Sequence, residues 1–583
     1  MSASSSAPAS DLFRAARDLL QRHRDDYAAA TAAFSWPRLP SFNWALDWFD
    51  HLAERPDRRD RPALQLWETS TGSPRCETTL TYAQLSARSS QLANWLLGHG
   101  VARGDAVLVM LDNRVALWET ILAVMKLGAV IVPASPMTGV DGIADRMLRG
   151  GVKHVIATVA SAPVFDAAGR GDVTFIASRD EPGQPVPPGW LDLEDAATAA
   201  TTFTPSGPTR AQDPLMLYFT SGTTSHAKLV SHTHSSLPVG QLSTMYWIGL
   251  RRDDRHLAVA SPGWAKHVCS NLFAPWSAEA CVVALRAGKF DPDVTLETLR
   301  RGEVTTFCAP PTVWRQLLPR TTARTRLRLD AATSAGEPLD AALLDGVRAE
   351  FGVTVRDGYG QTEIPGLIAN SPGVTVRPGS MGRPLPGLPL VLRDSRGALA
   401  DEGEICLDLA SDPIGLMAGY LGDPAATARV IRDGFYHTGD IARLDGDGHF
   451  GYVGRADDLF KSSGYRISPF ELERALREHD TVTDVVVVPA ADPVRFTVPK
   501  AFVELTPGTP PDTDAAGELF RFIATRLSPY QRVRRLEFVQ LPRTSTGKVQ
   551  RGEVQAWQRQ GGERVEFRED QFTGLPRWGA ATR

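Results

Sequence analysis

The strongest constraint on the fold is an alternation of helical patterns with short apolar runs in the first half of the chain. Thr81 to Leu97 has the spacing of an amphipathic helix, and the run Ala106 to Leu111 after it is apolar throughout. A second helical pattern, Trp118 to Leu127, precedes the apolar run Ala129 to Val132. Strands that are apolar at every position are buried on both faces, as in parallel sheets connected by helices. The alternation predicts an α/β fold of parallel-rich sheets with flanking helices.

The C-terminal part has a different pattern. The segment Asp433 to Gly454 is rich in turn residues, which is typical of a domain boundary. After it we predict helices over Pro469 to Glu478 and Gly517 to Leu527, and strands over Thr483 to Val488 and Ala501 to Leu505. This mixture predicts a small α+β domain.

These patterns divide the chain into three predicted parts. Residues 1–40 form an N-terminal helical extension, in which Asp11 to Ala33 has helical spacing and Asp11 is a candidate N-cap. Residues 41–456 form a large body, and residues 457–583 form the small C-terminal domain. A docked helix is the simpler interpretation of the extension, and a contact with a membrane or a partner is the alternative.

Composition disfavours several classes of protein. The chain has 583 residues, of which 43% are hydrophobic, and its net charge is −4. It therefore has enough apolar residues for a large core, and it lacks the basic charge of most nucleic-acid binders. It contains no apolar run of 18 residues and no secretory signal, so we expect no membrane insertion. Five cysteines without a CxxC pair are typical of a reduced, cytoplasmic protein and disfavour a structural zinc site.

Lysine is scarce in this chain. Only 8 of the 63 basic residues are lysines, which leaves 55 arginines. A lysine that falls inside a motif is therefore less often there by chance. The arginine-rich and alanine-rich usage also suggests a bacterium of high GC content and a natural-product pathway.

The segment Tyr218 to Lys228 (YFTSGTTSHAK) combines features that suit a polyanion. Its glycine lets backbone N–H groups converge, the five hydroxyls between Thr220 and Ser225 donate hydrogen bonds, and its lysine adds charge. The pattern predicts a phosphate-binding loop after a strand at Leu215 to Phe219, and a Ser/Thr-rich surface turn is the alternative. It is not a GxxxxGK[ST] loop, because the second glycine and the Lys-Ser/Thr pair are absent. The candidate ligands are Thr220, Ser221, Gly222, Thr223, Thr224 and Lys228.

This loop resembles the phosphate loop of the acyl-adenylate-forming superfamily, which includes AMP-forming acyl-CoA synthetases, peptide-synthetase adenylation domains and luciferases. Five further motifs resemble those of the superfamily and follow in its order: Ser334 to Leu339 (SAGEPL), Asp357 to Glu363 (DGYGQTE), Tyr436 to Asp440 (YHTGD), Gly454 to Arg466 (GRADDLFKSSGYR) and Pro542 to Arg551 (PRTSTGKVQR). The resemblance covers about residues 40–555. It implies a large N-terminal domain of parallel-rich sheets with flanking helices and a distorted barrel, followed by a small, mobile α+β domain.

The resemblance gives the SAGEPL and DGYGQTE motifs roles in binding adenosine and a metal. A carboxylate at Asp357 can accept a hydrogen bond from the adenine amino group, and the ring of Tyr359 can stack on the base. Glu363 is the candidate Mg²⁺ ligand, because Mg²⁺ is held by carboxylates together with substrate phosphates. The resemblance implies that Thr362 contacts the α-phosphate. It also implies ATP or AMP contacts for Gly336, Glu337, Pro338, Gly358 and Gln361.

The YHTGD and GRADDLFKSSGYR motifs resemble those that supply the ribose site and the hinge. Asp440 resembles an aspartate that accepts both ribose hydroxyls, and Arg455 and Arg466 resemble arginines that meet ribose or phosphate. Asp457 resembles the hinge residue about which the small domain swings between adenylation and thioester formation. Gly464 lies in a segment that meets the nucleotide of coenzyme A in CoA ligases.

Lys548, in the last motif, is the candidate catalytic cation. The reaction brings a carboxylate to the α-phosphate of ATP, so two anions must meet. A point cation that bridges them lowers the barrier electrostatically. An exposed lysine of the C-terminal tail is the alternative.

The segment Ser261 to Ser270 (SPGWAKHVCS) and the segment Phe42 to Asp50 resemble the acetyl- and medium-chain acyl-CoA synthetases. Gly360 stands where short-chain enzymes carry a bulky aromatic residue. We expect a longer pocket there, and therefore a medium to large acid, with bulky polycyclic and aromatic acids among the options. The candidate pocket residues are Trp264, Lys266, His267 and Gly360, and a core position is the alternative for Trp264.

The leading interpretation is an acid:CoA ligase that uses ATP, Mg²⁺ and coenzyme A and forms an acyl-AMP intermediate. One departure leaves alternatives open. The superfamily's phosphate loop usually ends Gly-x-Pro-Lys, whereas this chain has Ser225, His226, Ala227 and Lys228. The chain could instead catalyse one half-reaction, pass the acyl group to a carrier protein, or bind nucleotide without catalysis. Homodimers are common among enzymes, so a homodimer is an expectation here.

Overall fold

A computed structural model describes most of the chain. The described residues are 8–69, 73–169, 171–220, 227–288, 290–321, 327–336, 339–456, 458–462, 465–492, 496–527, 531–543, 549–560, 564–573 and 575. For Lys461, Tyr465, Arg466 and Phe496 the description covers the backbone alone.

Helices of the described residues occupy much of the large body and parts of the C-terminal region. They are α1 (Ala9–Arg22), α2 (Tyr27–Ala33), α3 (His51–Glu54), α4 (Tyr82–Gly98), α5 (Val115–Leu127), α6 (Val140–Arg149), α7 (Ala162–Ala168), α8 (Gln241–Ile248), α9 (Ala265–Val268), α10 (Ala274–Ser277), α11 (Pro292–Arg301), α12 (Pro311–Leu317), α13 (Ala341–Phe351), α14 (Pro424–Val430), α15 (Pro469–Arg477), α16 (Thr513–Arg526) and α17 (Arg551–Gln560). Shorter π-helical and 3-10 turns are Trp44–Asp50, Val159–Ser161, Leu193–Thr198, Cys269–Phe273, Leu318–Arg320 and Glu569–Gln571.

The strands are β1 (Pro62–Thr69), β2 (Pro74–Thr81), β3 (Ala106–Met110), β4 (Val130–Pro133), β5 (Val152–Thr158), β6 (Thr174–Ser178), β7 (Leu191–Asp192), β8 (Pro214–Thr220), β9 (Lys228–Thr233), β10 (Arg255–Ala258), β11 (Cys281–Arg286), β12 (Thr306–Cys308), β13 (Ala331–Ala335), β14 (Val355–Tyr359), β15 (Ile368–Ala369), β16 (Ser380–Pro384), β17 (Leu390–Arg393), β18 (Glu402–Asp408), β19 (Gly419–Tyr420), β20 (Ile431–Arg432), β21 (Phe435–Leu444), β22 (Phe450–Arg455), β23 (Phe460–Ser462), β24 (Tyr465–Ile467), β25 (Val482–Asp492), β26 (Phe496–Leu505), β27 (Arg535–Phe538) and β28 (Glu566–Arg568).

The chain forms two compact units. The first comprises Met1–Leu390 and Leu407–Tyr436, and the second comprises Val391–Cys406 and His437–Arg583. The chain therefore passes between the units three times. The division into residues 1–40, 41–456 and 457–583 stays a prediction.

Two sheets dominate the first unit. One has the strand order β19-β9-β8-β4-β3-β5-β6-β7, and the other contains the run β16-β15-β14-β13-β12-β10-β11-β1-β2. The central pairs are parallel: β3 pairs in this way with β4 and β5, and β13 pairs in this way with β12 and β14. All five residues of β3 are buried. The predicted α/β fold with a large, parallel-rich N-terminal part is confirmed.

Local signals explain several element boundaries. Helix α4 follows Thr81, whose side chain and that of Gln84 form a reciprocal capping box. Helix α5 ends at Gly128, which takes the left-handed conformation with φ 69°. Glycine reaches this conformation without the steric cost that a Cβ imposes. The predicted helices and strands of this region are confirmed to within a few residues.

The N-terminal extension contains two helices, so the prediction of one helix over Asp11 to Ala33 is wrong. The break follows from Asp26, whose carboxylate accepts the Ala29 N–H at 3.0 Å and caps α2. Asp11 is not the N-cap, because α1 begins at Ala9 and Asp11 lies in its first turn.

Helix α1 packs against other elements of the first unit, to which it belongs. Phe13 is fully buried, and its ring centroid lies 4.9 Å from that of Trp48. Arg17 Nη2 donates to the carboxylate of Glu279 at 2.9 Å, and Arg55 Nη1 donates to the same oxygen at 2.9 Å. Glu279 is only 3% exposed, so this carboxylate depends on its arginine partners.

Lys126 forms a second buried ion pair in the first unit. Its side chain is fully buried, and Nζ lies 2.9 Å from a carboxylate oxygen of Asp50. The ammonium also donates to Ser90 Oγ at 2.9 Å and to the Ser86 carbonyl at 3.0 Å. Its three donors are therefore all used.

The second unit contains an α+β part built on the strand order β25-β26-β27-β28. Its core includes residues of α15 and α16, among them Leu472 and Phe520. The predicted helices and strands after residue 468 are confirmed, although both strands are longer than predicted.

The segment Asp433 to Gly454 contains a boundary between the two units, between Tyr436 and His437, and it is largely extended. It forms the antiparallel hairpin of β21 and β22, with Asp440 opposite Arg455. The turn residues are confined to Asp433 and Gly434, before β21, and to the Asp445–His449 connection between the strands. The stretch between them carries Ile441 and Ala442, which are buried.

Among the described residues, no helix has both the length and the apolar character needed to cross a membrane.

Candidate active site

The predicted phosphate loop connects the strands of a β-hairpin. Strands β8 and β9 are antiparallel, with Phe219 opposite Leu229 and Thr220 opposite Lys228. Thr220 Oγ1 donates to the Lys228 carbonyl at 3.4 Å. The hairpin thus holds the two ends of the predicted loop side by side. The predicted ligands Ser221, Gly222, Thr223 and Thr224 lie outside the described residues.

Tyr420 joins Lys228 to Glu363. Lys228 Nζ lies 5.0 Å from the centroid of the Tyr420 ring, whose face attracts a cation. The Tyr420 hydroxyl donates to Glu363 Oε1 at 2.8 Å. A predicted phosphate-binding cation and a predicted metal-binding carboxylate therefore contact one aromatic side chain. Tyr420 was not predicted, because it lies outside the six motifs.

His232 supports the backbone of Thr362. Its Nε2 lies 2.7 Å from the Thr362 carbonyl, which can only accept, so Nε2 carries the proton. Burial lowers the pKa of His232 to about 4, so the ring is neutral and Nδ1 accepts from Ser236 Oγ at 3.0 Å. His232 thus holds the backbone beside Glu363. Its only sequence signal is its place in the stretch SHTHSS.

Asp357 is buried at the end of β14. Burial raises the pKa of its carboxyl to about 8, while the Gly358 N–H at 2.9 Å and the charge of Lys266 favour the ionised form. The carboxyl is therefore mainly protonated at neutral pH. This differs from the expectation of a simple carboxylate acceptor, since a protonated carboxyl can both donate to and accept from a purine edge.

Lys266 lies apart from the predicted acyl pocket. Its Nζ donates to the Ala335 carbonyl at 3.1 Å, at the end of β13. In the register of β13 and β14, Ser334 lies opposite Asp357 and Ala335 opposite Gly358. Lys266 therefore connects the segment that contains Trp264 to the predicted adenine-binding strands.

Two glycines of the DGYGQTE motif are needed for packing. A Cβ at Gly358 would clash with the Trp247 ring. A Cβ at Gly360 would lie 2.5 Å from the Pro365 carbonyl oxygen and 2.9 Å from the Gly366 nitrogen. Backbone therefore fills the space beside Gly360, and the inference that its missing side chain lengthens a pocket is wrong.

The side chain of Gln361 accepts a hydrogen bond within the same unit. Its Oε1 lies 2.6 Å from the hydroxyl of the buried Tyr436. Its backbone exchanges hydrogen bonds with Ile364, at 2.9 and 3.1 Å. Tyr359 ends β14, and its carbonyl accepts the Leu367 N–H at 2.9 Å. This turn places Thr362 and Glu363 between two anchored segments.

A narrow apolar cavity of about 20 Å³, which has room for about one water molecule, lies beside the segment that follows β10. Trp264 is 42% exposed at its wall, so the alternative of a core tryptophan is wrong. His267 is buried and Nε2 lies 3.0 Å from Asn113 Oδ1; burial lowers the pKa of this histidine to about 3, so the ring is neutral. Among the described residues, the wall contains no lysine and no carboxylate side chain. The lining residues are Val109, Leu117, Ile121, Ile131, Pro133, Met216, Tyr218, Pro262, Gly263, Trp264, His267 and Val268.

In the second unit, Asp440 is placed by the β21–β22 hairpin. It is 4% exposed, and one carboxylate oxygen accepts from the Tyr452 hydroxyl at 3.1 Å. Arg455, which lies opposite in the register, is 3.8 Å from the same oxygen. The predicted ribose-binding aspartate and arginine are therefore neighbours. Tyr452 was not predicted, although the period-2 pattern of a strand would place it on one face with Gly454.

Glu404 fixes the turn before Asp440. One of its oxygens accepts the Gly439 N–H at 2.9 Å, and the other accepts the His437 Nδ1–H at 2.8 Å. The Cys406 sulfur lies 3.5 Å from the same ring nitrogen. These bonds account for the convergence of the three side chains, and they hold the backbone that carries Asp440.

Several predicted residues cannot be placed. Glu337, Pro338, Asp457, Gly464 and Lys548 lie outside the described residues, and so does the side chain of Arg466. Gly336 is described: its φ of 99° lies in the left-handed region, which favours glycine.

Two sequence families match this chain. Residues 52–421 match the AMP-binding enzyme family, and residues 471–548 match the AMP-binding enzyme C-terminal domain. The chain belongs to the AMP-binding enzyme family. For this AMP-binding enzyme, the first match includes the β8–β9 hairpin, Asp357 and Glu363, and the second includes Lys548.

Relatives of the AMP-binding enzyme match over nearly its whole length. It is 36% identical to 4-hydroxybutyrate–CoA ligase 1 of Metallosphaera sedula over 526 residues, which covers 88% of this chain and 90% of the relative. It is 33% identical to the mitochondrial acyl-coenzyme A synthetase ACSM3 of Mus musculus, with 88% and 90% covered. Among solved structures, the anthranilate CoA ligase AuaEII in complex with anthranoyl-AMP matches with a TM-score of 0.78 and 25% identity, over 90% of this chain and 98% of that one.

Proposed function

We propose that the chain is an acid:CoA ligase that forms AMP. In the first half-reaction, the carboxylate of the acid attacks the α-phosphate of ATP and pyrophosphate leaves, which gives acyl-AMP. In the second, the thiol of coenzyme A loses its proton and attacks the acyl carbonyl, and AMP leaves. The observation that carries the proposal is the contact of both Lys228 and Glu363 with Tyr420, next to the phosphate-loop hairpin. The names of the relatives, which are CoA ligases and acyl-CoA synthetases, support it.

The chemistry of Glu363 suits Mg²⁺. Oε1 is held by the Tyr420 hydroxyl, whereas Oε2 has no hydrogen-bond partner within the described part of the chain. A carboxylate with one anchored and one available oxygen fits a hard cation that takes its remaining ligands from phosphates and water. When bound, Mg²⁺ would neutralise charge on the phosphates of ATP. Lys228 and the loop hydroxyls then orient the polyphosphate.

The remaining predicted residues have the roles that the superfamily motifs imply. We propose that Asp357, Tyr359 and Gly336 bind adenine, together with Glu337, Pro338, Gly358 and Gln361. Thr362 contacts the α-phosphate, and Lys548 is the catalytic cation. Asp440 and Arg455 bind the ribose hydroxyls, Arg466 meets phosphate, Asp457 is the hinge, and Gly464 meets coenzyme A.

The apolar wall of this cavity supports an acid with an uncharged, apolar body. A distal carboxylate or ammonium would lose its hydration there without a charged partner among the described lining residues. The proposal of a medium to large acid, with bulky aromatic and polycyclic acids among the options, rests on the resemblance of Ser261 to Ser270 and of Phe42 to Asp50 to the medium-chain acyl-CoA synthetases, and not on the cavity volume or on Gly360.

Broader properties are proposed from composition. All five cysteines are described and form no disulfide, which supports a reducing, cytoplasmic setting. Arginine usage supports a bacterial source and a natural-product pathway, and a homodimer is the base-rate expectation.

The test is ATP–pyrophosphate exchange with a panel of acids that varies chain length, ring size and distal charge. We expect exchange with apolar monocarboxylic acids and none with dicarboxylic acids of equal length. Replacing Glu363 with Gln should reduce exchange by about 100-fold or more, because it removes a charge that acts in the transition state. Lys153→Ala is the control, since its side chain is 65% exposed and, within the described part of the chain, forms an ion pair with Asp105 alone. Exchange with no acid in the panel contradicts the proposal.

The acceptor is tested by adding coenzyme A and measuring acyl-CoA by mass. A thioester product supports the complete ligase. The substitutions at Ser225 and Ala227 favour one other candidate, an enzyme that stops at acyl-AMP or uses a carrier protein. Exchange without acyl-CoA would support that candidate instead.

A further inference from the structure

We propose that Arg149, on α6, is a positioning residue for the phosphate loop. Its guanidinium donates a hydrogen bond to the carbonyl of Ala227, at the C-terminal end of the loop, and thereby fixes the backbone position of Lys228. The inference rests on the proposed function of that loop in binding ATP.

The guanidinium of Arg149 contacts both ends of the loop, at Phe219 before it and at Ala227 after it. Arg149 Nη2 donates to the Ala227 carbonyl at 2.7 Å, immediately before Lys228. The centre of the guanidinium lies 5.5 Å from the ring centroid of Phe219, immediately before Thr220. Arg149 Nη1 binds both carboxylate oxygens of Asp145, at 3.0 and 3.3 Å. The arginine is thereby anchored to its own helix while it holds the loop exit.

Arg146 completes the contact of α6 with Phe219. Its guanidinium carbon lies 4.9 Å from the centroid of the Phe219 ring, and Nη1 donates to the Gly142 carbonyl at 2.9 Å. Two guanidiniums from successive turns of one helix thus contact one ring. The face of an aromatic ring attracts a cation, so both contacts hold α6 against the end of β8.

This end of the hairpin extends beyond the backbone pairing of the neighbouring strands, although its side chains Leu229 and Phe219 pack in or against the core of the sheet. The pairing of β8 with β4 is recorded at Met216 alone, and that of β9 with β19 ends at Val230. The pairs formed by Phe219 with Leu229 and by Thr220 with Lys228 extend beyond both neighbouring strands. Within the described residues, the Leu421 N–H to the Leu229 carbonyl, at 2.8 Å, is the last backbone bond to this end. The side chains of α6 reach past it to Ala227.

Ala227, at the C-terminal end of the loop, explains why this segment needs a hydrogen bond from another element. Alanine has more backbone freedom than a residue with a fixed φ, such as proline, so Ala227 does not stiffen the exit by itself. A guanidinium can bind a carboxylate and a carbonyl at once through a rigid fork. A lysine ammonium at the same place would keep the charge but lose the planar stacking and the two-sided geometry.

The test compares Arg149→Ala and Arg149→Lys with Leu148→Ala. Leu148 is the matched control, because it lies on the same helix and its side chain is 82% exposed. The first readout is hydrogen exchange of the Lys228–Val230 amides in the protein without nucleotide. The second is the dissociation constant of ATP alone, and the third is the split between KM for ATP and kcat in pyrophosphate exchange.

We expect Arg149→Ala to speed amide exchange at Lys228–Val230 and to weaken ATP binding by about tenfold, as for the loss of one hydrogen bond to a charged group. KM for ATP rises by a similar factor and kcat changes less. In Arg149→Lys, amide exchange and ATP affinity change in the same direction as in Arg149→Ala. Both quantities in Leu148→Ala match those of the wild type. Unchanged amide exchange and ATP affinity in Arg149→Ala overturn the proposal, as does a wild-type result for Arg149→Lys or an equal effect of Leu148→Ala. The first two readouts need no acid substrate, so they stay informative even if pyrophosphate exchange fails with every acid.

Discussion

Asp357 should destabilise the native protein at neutral pH, and replacing it should show this directly. An unfolded aspartate titrates near its ordinary value of 3.8, whereas burial raises the pKa of Asp357 to about 8. Between these values the native state holds a proton that the unfolded state has lost. Stability therefore falls as the pH rises from about 4 to about 8, with a slope near 1.4 kcal/mol per pH unit.

The magnitude follows from the shift. About four pH units correspond to about 5–6 kcal/mol at pH 8 and above, which is an upper bound because the native state relaxes around an ionised group. We expect Asp357→Asn to recover at least about 2 kcal/mol at pH 8. The amide oxygen can still accept the Gly358 N–H, and the buried charge is removed.

The assay is urea unfolding of wild type and Asp357→Asn at pH 5, 6.5 and 8, under conditions where each transition is reversible. The stability gain of the variant should be largest at pH 8 and smallest at pH 5. Asp401→Asn is the control, because Asp401 is exposed and should show no such pH dependence. A variant that is less stable than wild type at pH 8, or a gain that does not change with pH, would refute the reasoning.

Four further outcomes are expected. Tyr420→Phe removes the hydrogen bond to Glu363, the proposed metal ligand, so we expect about a tenfold lower kcat in pyrophosphate exchange with an unchanged melting temperature; an unchanged kcat would contradict this. Glu279→Gln removes the buried charge that Arg17 and Arg55 share, and because each keeps one other carboxylate partner, Asp18 and Asp57, we expect a cost of about 3 kcal/mol in urea unfolding. Gly360→Ala should lower the melting temperature without changing acid preference, because its Cβ meets the backbone of Pro365; a changed acid preference in a stable variant would contradict this. Lys126→Arg should lower the melting temperature by several degrees because its site is closed, whereas Lys153→Arg, at an exposed site, should not.

The parts of the fold that were predicted correctly are those with a local cause. Thr81 caps α4 and Gly128 ends α5 through contacts within a few residues, so the sequence shows both boundaries. Strand β3 is buried on both faces, which gives it a continuous apolar run. The two helices of the N-terminal extension needed a finer distinction, since the cap formed by Asp26 breaks a helical pattern that continues on both sides.

The errors have a common origin in contacts that no spacing of residues in the sequence reveals. The β21–β22 hairpin is rich in glycine and aspartate, and its extended structure depends on pairing with a partner 15 residues away at Asp440 and Arg455. Gly360 was taken as an empty position, but what fills the space is the backbone of Pro365 and Gly366, a few residues later in a turn whose shape no pattern reveals. In the same way, Tyr420 and His232 contact Glu363 and Thr362 from other elements. Residues that act by supporting a motif from elsewhere in the fold carry no spacing of their own.

The scarcity of lysine has a broader meaning than the motifs suggested. Lys228 contacts the Tyr420 ring, but Lys126 is fully buried with Asp50, and Lys500 is buried between Glu537 and Glu566 at 2.7 Å from each. An ammonium is compact and directs three donors, whereas a guanidinium is broad and planar. At Lys126 and Lys500 a compact cation is required by internal carboxylates, whereas Lys153 is 65% exposed. Scarcity therefore does not by itself mark a binding lysine, and the surrounding contacts distinguish a structural lysine such as Lys126 from one that is proposed to bind phosphate, such as Lys228.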